Sequence, residues 1–233
     1  MVACRISFAS VAALCFGLLA SPGVTQDNPP TAAAAVVASL DAALLDAMKD
    51  ARGLGPRGRF ARLGPAIRGS FDLDDMTRAA AWKHWERLSA EQRRQLADSF
   101  ACFETAQYAD WFDSYAGQSF SVTGTRILAD GSAVVGTVMS GGGGPSLSLD
   151  YVLRADSAQH WRIVDVRYNG WMSEVERRRS EFAEVLDHGG IAVLLAKLDS
   201  GRQAALDHAD NVAKPHLLEP IRDLWSIQVP PID

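Results

Sequence analysis

Residues 146–198, SLSLDYVLRADSAQHWRIVDVRYNGWMSEVERRRSEFAEVLDHGGIAVLLAKL, decide the fold class. Leu147, Leu149, Tyr151 and Leu153 alternate with Ser148, Asp150 and Arg154, the period of two of a strand with one buried face. Residues 161–168 make a second run of this kind, and Asn169-Gly170 marks the turn after it. Ser173 followed three residues later by Glu176 has the spacing of a capping box, in which each side chain satisfies an unpaired backbone N–H at a helix start. Val175, Phe182, Val185 and Leu186 then form an apolar stripe, and Gly189-Gly190 can end the helix in the left-handed conformation. A helix that leaves an antiparallel sheet directly can fold back over it.

Towards the amino terminus the period of two continues. Phe120 and Val122 alternate with Ser119, Ser121 and Thr123, Asp130-Gly131 is a hairpin signal, and residues 133–139 make another strand. Gly124 and Gly136 interrupt strands where glycine permits sharp bending, and residues 141–145 read as a flexible connection. The expected fold is α+β: a curved four-stranded antiparallel sheet covered by several helices and enclosing an apolar cavity.

The covering helices come mostly from the first half. Thr31 can cap a helix through Met48, with Val37, Leu40 and Leu44 on one side, placed to act as a lid. Gly53, Gly55, Pro56 and Gly58 are expected to break it. Five arginines and no acid fall between Arg52 and Arg68, a basic patch read either as a solvated face or as a contact for anionic head groups or an acidic partner. Asp72 begins another helix, and Ser89 with Gln92 forms a second capping box. The helix that follows, with the residues just after it, carries Phe100, Phe103, Tyr108, Trp111, Phe112 and Tyr115. So many rings are either wrapped on several sides or line a wide apolar space.

Arg5 followed by the apolar residues 6–20 and by Ser21, Pro22 and Gly23 has the form of a secretory signal, placed at residues 1–23. Export to the periplasm follows from it. Removal of that segment takes away Arg5 and no acid, leaving 22 basic residues against 28 acidic ones, a balance that argues against a nucleic-acid partner. Cys4 and Cys15 leave with the segment, and Cys102 alone cannot form an internal disulfide. Stability must come from packing.

Chemistry-bearing motifs are sparse. His84, His160, His188, His208 and His216 show no metal-ligand spacing, and there is no nucleophile elbow and no phosphate-cradling glycine motif, so no metal, cofactor or catalytic residue is expected. Asp165 shares a strand face with Trp161 and Ile163, and Arg179 shares a helix stripe with Val175 and Phe182. Half-buried charges need partners, so Asp165 is expected to pair with Arg179 or Arg154, or to meet a ligand's head group.

The order of these pieces resembles the toluene-tolerance family, the MlaC-type periplasmic lipid carriers. The resemblance rests on Phe71-Asp72-Leu73 leading to Trp85, on Leu88-Ser89 with Glu91-Gln92-Arg93, and on the strands LDYVLR and WRIVDV with Gly170. Arg179-Ser180-Glu181-Phe182 followed by Gly189-Gly190 completes it. Residues 108–115, YADWFDSY, with Gly117 and Phe120, look closer to the hopanoid-associated HpnM-type branch. Trp171-Met172 departs from the family, which more often has a smaller residue before the serine.

The resemblance implies a lipid-binding domain over residues 31–198, followed by a carboxy-terminal extension, 199–233. It implies a monomeric, non-catalytic carrier of phospholipid or hopanoid, working with inner-membrane and outer-membrane transport components. Phe103, Trp111, Phe120, Val122, Leu149, Tyr151, Trp161, Ile163 and Trp171 are the expected lining, as apolar members of presumed inward faces. Each buried methylene contributes about 0.8 kcal/mol, so hydrocarbon burial alone suffices to hold such a ligand. Two other readings stand beside it: an enzyme on a cone-shaped sheet using Asp165 and Tyr151 as an acid–base pair, and a solid-cored envelope scaffold.

Overall fold

The computed structural model describes residues 29–207. The expected signal segment, 1–23, and the carboxy-terminal extension beyond residue 207 lie outside them. The chain runs α1 (Pro29–Lys49), α2 (Ala51–Ser70), α3 (Leu73–Ala81), a 3-10 helix (Trp82–Arg87) and α4 (Ala90–Trp111), then the strands β1 (Ser119–Ile127), β2 (Ala133–Ser140), β3 (Leu147–Ala155), β4 (Trp161–Tyr168) and β5 (Met172–Ser173), and ends in α5 (Glu174–His188) and α6 (Gly190–Asp207).

The strands form one open antiparallel sheet in the order β1-β2-β3-β4-β5, so there are five strands where four were expected. The fifth is two residues long and pairs Ser173 with Arg167 and Met172 with Tyr168. A pairing that short shows no periodicity to read. Two bulges interrupt the meander. Thr123 is the extra residue between Val122 and Gly124 on β1, and Val164 is the extra residue on β4, where Leu153 pairs with Ile163 but Val152 with Asp165. An inserted residue reverses the alternation beyond it and bends the strand. Trp161 and Ile163 therefore share the covered face with Val166 and Tyr168, while Val164 joins Val134 and Val152 in a small cluster on the opposite face. Asp165 goes with them and not with Trp161.

The covered face is closed by helices. Val37, Leu40 and Leu44 of α1 are fully buried, and α1 lies across β1, β2 and β4. By length and composition α1 could cross a membrane, yet its stripe is packed under the sheet. Gly53, Gly55, Pro56 and Gly58, expected to break the helix, fall within α2, which is kinked at Gly55, whose φ is +60°. Pro56 follows at the start of a fresh helical segment, where its missing N–H is no loss. The basic patch is also reapportioned: Arg59 is buried and donates from Nε to the Ala109 carbonyl at 2.7 Å, and Arg57 pairs with Asp207.

Phe71 and Asp72 tie this helical half to the sheet. Phe71 bridges to Ile163, and the Asp72 N–H donates to the Ile163 carbonyl at 2.8 Å. Asp72 then caps α3 by accepting from the Asp75 N–H. Ser89 and Gln92 make both bonds of the expected capping box at the start of α4. Phe100 and Tyr108 of α4 are wrapped by other rings rather than left around a space. Tyr108 lies 5.7 Å from Phe71 and 5.8 Å from Phe112 between ring centres, and Phe100 meets Phe182 of α5 edge-on at 5.7 Å. α6 runs unbroken from Gly190 past Leu198 to Asp207, packing on α4.

The glycine connection at 141–144 is tighter than its composition suggests. Gly141, Gly142 and Gly143 all have positive φ, and a Cβ at Gly141 would sit 2.4 Å from the Gly117 carbonyl oxygen. We expect Gly141→Ala to destabilise the protein by about 1–3 kcal/mol in urea unfolding, from both clash and strain. Gly143→Ala, with nothing within 4 Å of the new methyl, should lose only about 1 kcal/mol.

Candidate functional site

The face of the sheet beneath the helices is the natural place for an apolar ligand. Leu149, Tyr151, Trp161 and Ile163, all expected to line a cavity, are buried there together. Phe120, half-buried on β1, joins them through Phe112 at 6.3 Å between ring centres, and Trp111 packs on Tyr108 at 5.6 Å. No enclosed hollow is shown among these residues, whose side chains belong to one core cluster. Where β4 meets α2, α3 and α4, lined by Phe71, Met76, Tyr108 and Val166, a void of about 10 Å³ remains, room for about one water. Val122 shares the covered face but is 45% exposed, because β1 is the sheet edge. Trp171 is 61% exposed in the turn before β5.

Phe103 sits elsewhere, in an opening of about 430 Å³ in the helical layer. Phe103 of α4, Arg178, Glu181 and Phe182 of α5, and Leu194, Lys197 and Leu198 of α6 line it. That volume is in the range of small-molecule sites. Behind it lies a charge cluster that sequence reading did not anticipate. Arg178 stacks over the Phe103 ring at 4.7 Å and places its nitrogens 2.8 Å from Glu104, 2.9 Å from Glu174 and 3.0 Å from Glu181. Arg178, Glu104 and Glu174 are all buried. Burial pushes the Glu104 carboxyl up to about 7 against the pull of Arg178, with Glu174 adding to the rise. Burial opposes the charge on Arg178 too, but the surrounding carboxylates outweigh it and hold its proton. The spacing of Glu174, Arg178 and Glu181 on one helix face was the available signal; Glu104, between aromatics on α4, had none.

The expected pairing of Asp165 is corrected. Arg154 binds Asp75 at 3.0 Å, and Arg179 donates to the Ala79 carbonyl at 3.2 Å beside the Trp82 ring. Asp165 accepts from the Val175 N–H at 3.1 Å, with Arg167 at 3.6 Å. It thus serves the first turn of α5, where Ser173 accepts from the Glu176 N–H and unpaired donors favour negative charge. The bulge at Val164 puts Asp165 on the face opposite Tyr151, so the two do not converge as an acid–base pair would require.

One further residue was missed. Asp41 stands on the apolar stripe of α1 between Leu40 and Leu44, buried, with Oδ1 unpartnered. Desolvation pushes its carboxyl up to about 7. A lone acid in register with Val37 and Leu44 was the legible clue.

Two outcomes follow from these charges. Arg178→Leu leaves Glu104 buried without its cation, while Glu174 keeps Arg177 at 2.5 Å; it should cost about 3–5 kcal/mol in chemical denaturation, whereas Arg178→Leu with Glu104→Leu should recover part of that loss. The Asp41 carboxyl binds its proton more tightly folded than unfolded, so its contribution to stability falls as pH rises from about 4 to about 7. Melting temperatures across that window should decline less steeply in Asp41→Asn than in the parent.

Comparison with known proteins places this geometry. Among solved structures, the fold is similar to that of a phospholipid-binding protein from Ralstonia solanacearum, solved in complex with a phospholipid. The TM-score is 0.65 at 22% identity, over 76% of this chain and 98% of that one. No curated protein matches the chain in sequence. The family model described as MlaC protein matches residues 39–200, which span α1 from its middle, the whole sheet, and α5 into α6. The chain belongs to the MlaC family.

Proposed function

We propose that the protein is a periplasmic phospholipid-binding carrier that shuttles lipid between the inner and outer membranes, handing it to membrane components at each. The observation that carries this reading is the family match over residues 39–200. The phospholipid held by the Ralstonia solanacearum protein of similar fold supports it. Hopanoid is the alternative cargo, suggested by residues 108–115.

The hydrocarbon takes the place of packing contacts on the covered face, against Leu149, Tyr151, Trp161 and Ile163, with Phe120, Val122 and Trp111 towards the exposed end. Leu149, Tyr151, Trp161 and Ile163 are buried beneath the helices, so an acyl chain reaches them as a covering helix moves. α1 is the natural one: it comes first in the described chain, and it carries a buried carboxylate that disfavours its closed position. The opening at Phe103 and Phe182 offers a second route from the helical side. Because apolar burial is roughly proportional to area, spontaneous loss to water is slow, and a membrane partner that opens the lid sets the rate of release.

Protein purified from the exported fraction should yield phospholipid on solvent extraction and mass spectrometry. Val122→Asp, on the covered face at the partly open edge, should reduce the recovered lipid at least about tenfold while the far-ultraviolet circular dichroism is retained. Protein that emerges empty under native purification, or a Val122→Asp variant with undiminished lipid, would count against the carrier.

A further inference from the structure

The covered face holds three polar side chains where a carrier of plain hydrocarbon needs none. Asp41 on α1 is 5% exposed and its Oδ1 has no hydrogen-bond partner. Thr137 on β2 is 0% exposed and its Oγ1 has none either. Tyr151 on β3 is fully buried on the same face. Thr137 pairs with Leu149, and Tyr151 with Val135, which makes Thr137 and Tyr151 diagonal neighbours across adjacent strands. α1 crosses β2 at this layer, and the Asp41 charge acts on the Tyr151 phenol.

Native interiors leave few polar groups unmet, so each exception calls for a reason. Packing does not supply one here: leucine at 41 and valine at 137 would fill similar space without the desolvation cost. Whether ionised or neutral, a carboxyl at this depth needs partners, and Asp41 Oδ1 has none among the described residues.

We infer that Asp41, Thr137 and Tyr151 form an internal recognition site for a hydroxyl group carried on the hydrocarbon portion of the lipid ligand. This rests on the carrier reading and narrows it. A hydroxyl both donates and accepts, so it can donate to the Asp41 carboxylate while accepting from the Thr137 or Tyr151 hydroxyl. An ester carbonyl only accepts, so it can meet the Thr137 or Tyr151 hydroxyl but not an ionised Asp41. An ammonium only donates, and it brings a second charge into an apolar interior. The empty protein then keeps Asp41 Oδ1 and Thr137 Oγ1 unsatisfied beneath α1, and a hydroxylated ligand satisfies them when it enters.

The test is competition against a fluorescent phosphatidylglycerol bound to delipidated protein. The competitors are octadecanoate and octadecanoates hydroxylated near the head group, at mid-chain and at the terminal carbon. At least one hydroxylated chain should displace the label at about tenfold lower concentration than octadecanoate, the worth of one additional buried hydrogen bond. In Asp41→Leu the ratio between octadecanoate and the preferred hydroxylated chain should collapse to within about twofold, whatever the common change in potency. Asp41→Leu removes an unmet polar group and should fold; if it is not recovered in soluble form, Thr137→Val carries the same comparison. Equal potency of all four competitors on the parent protein, or a full hydroxyl preference surviving in the variant, overturns the site. Failure of the phosphatidylglycerol itself to bind overturns the carrier reading beneath it, so the two failures are distinguishable.

Discussion

The side chains on one face of the meander, from Phe120 on β1 to Tyr168 on β4, cannot be left in water, and the placement of the helices answers to that requirement. α1 contributes a stripe of fully buried residues, α2 and α3 press Ile67, Phe71 and Met76 against β4, and α4 fills the centre with rings. The backbone bond from Asp72 to Ile163 holds the helical layer in register with the sheet. Cover of this kind is strong in sum and non-directional in detail. A helix can therefore be exchanged for another apolar surface of similar area without breaking specific bonds, which suits a lid.

Charge is handled in the opposite manner, by fixed geometry. The start of α5 gathers Ser173 on the Glu176 N–H, Asp165 on the Val175 N–H and Glu174 at the first helical position, so its unpaired donors and dipole meet acceptors and negative charge. One turn later Arg178 draws Glu104 in from α4, which clamps α4 to α5 at a fixed angle beside the opening at Phe103. The two layers are thus held by different means, the sheet face by apolar contact and the α4–α5 pair by fixed ionic geometry.

Much of this was legible in the residues. Alternation identified four strands, Ser89 with Gln92 located the start of α4, and the apolar stripe of α1 read correctly as cover. What escaped was non-local or too short. A two-residue strand has no period, and residues 51–70 are rich in glycine and proline yet helical, because Gly55 supplies the kink and Pro56 falls at a first turn. The bulge at Val164 reverses inside and outside midway along β4, and no count of alternating residues within β4 reveals it. That single insertion moved Asp165 from a presumed ligand-facing position to the service of α5. The burial of Glu104 depended on Arg178, seventy-four positions away, and so on tertiary structure alone.

The same insertions shape the borders of the sheet. One border is only Met172–Ser173, directly continuous with a helix; the other, β1, is nine residues long but broken by the extra residue Thr123. A straight run of unpaired amides and carbonyls would recruit a strand from a neighbouring molecule, and an interrupted or very short one does not. Neither border therefore offers a long straight template on which a second molecule could add its own strand.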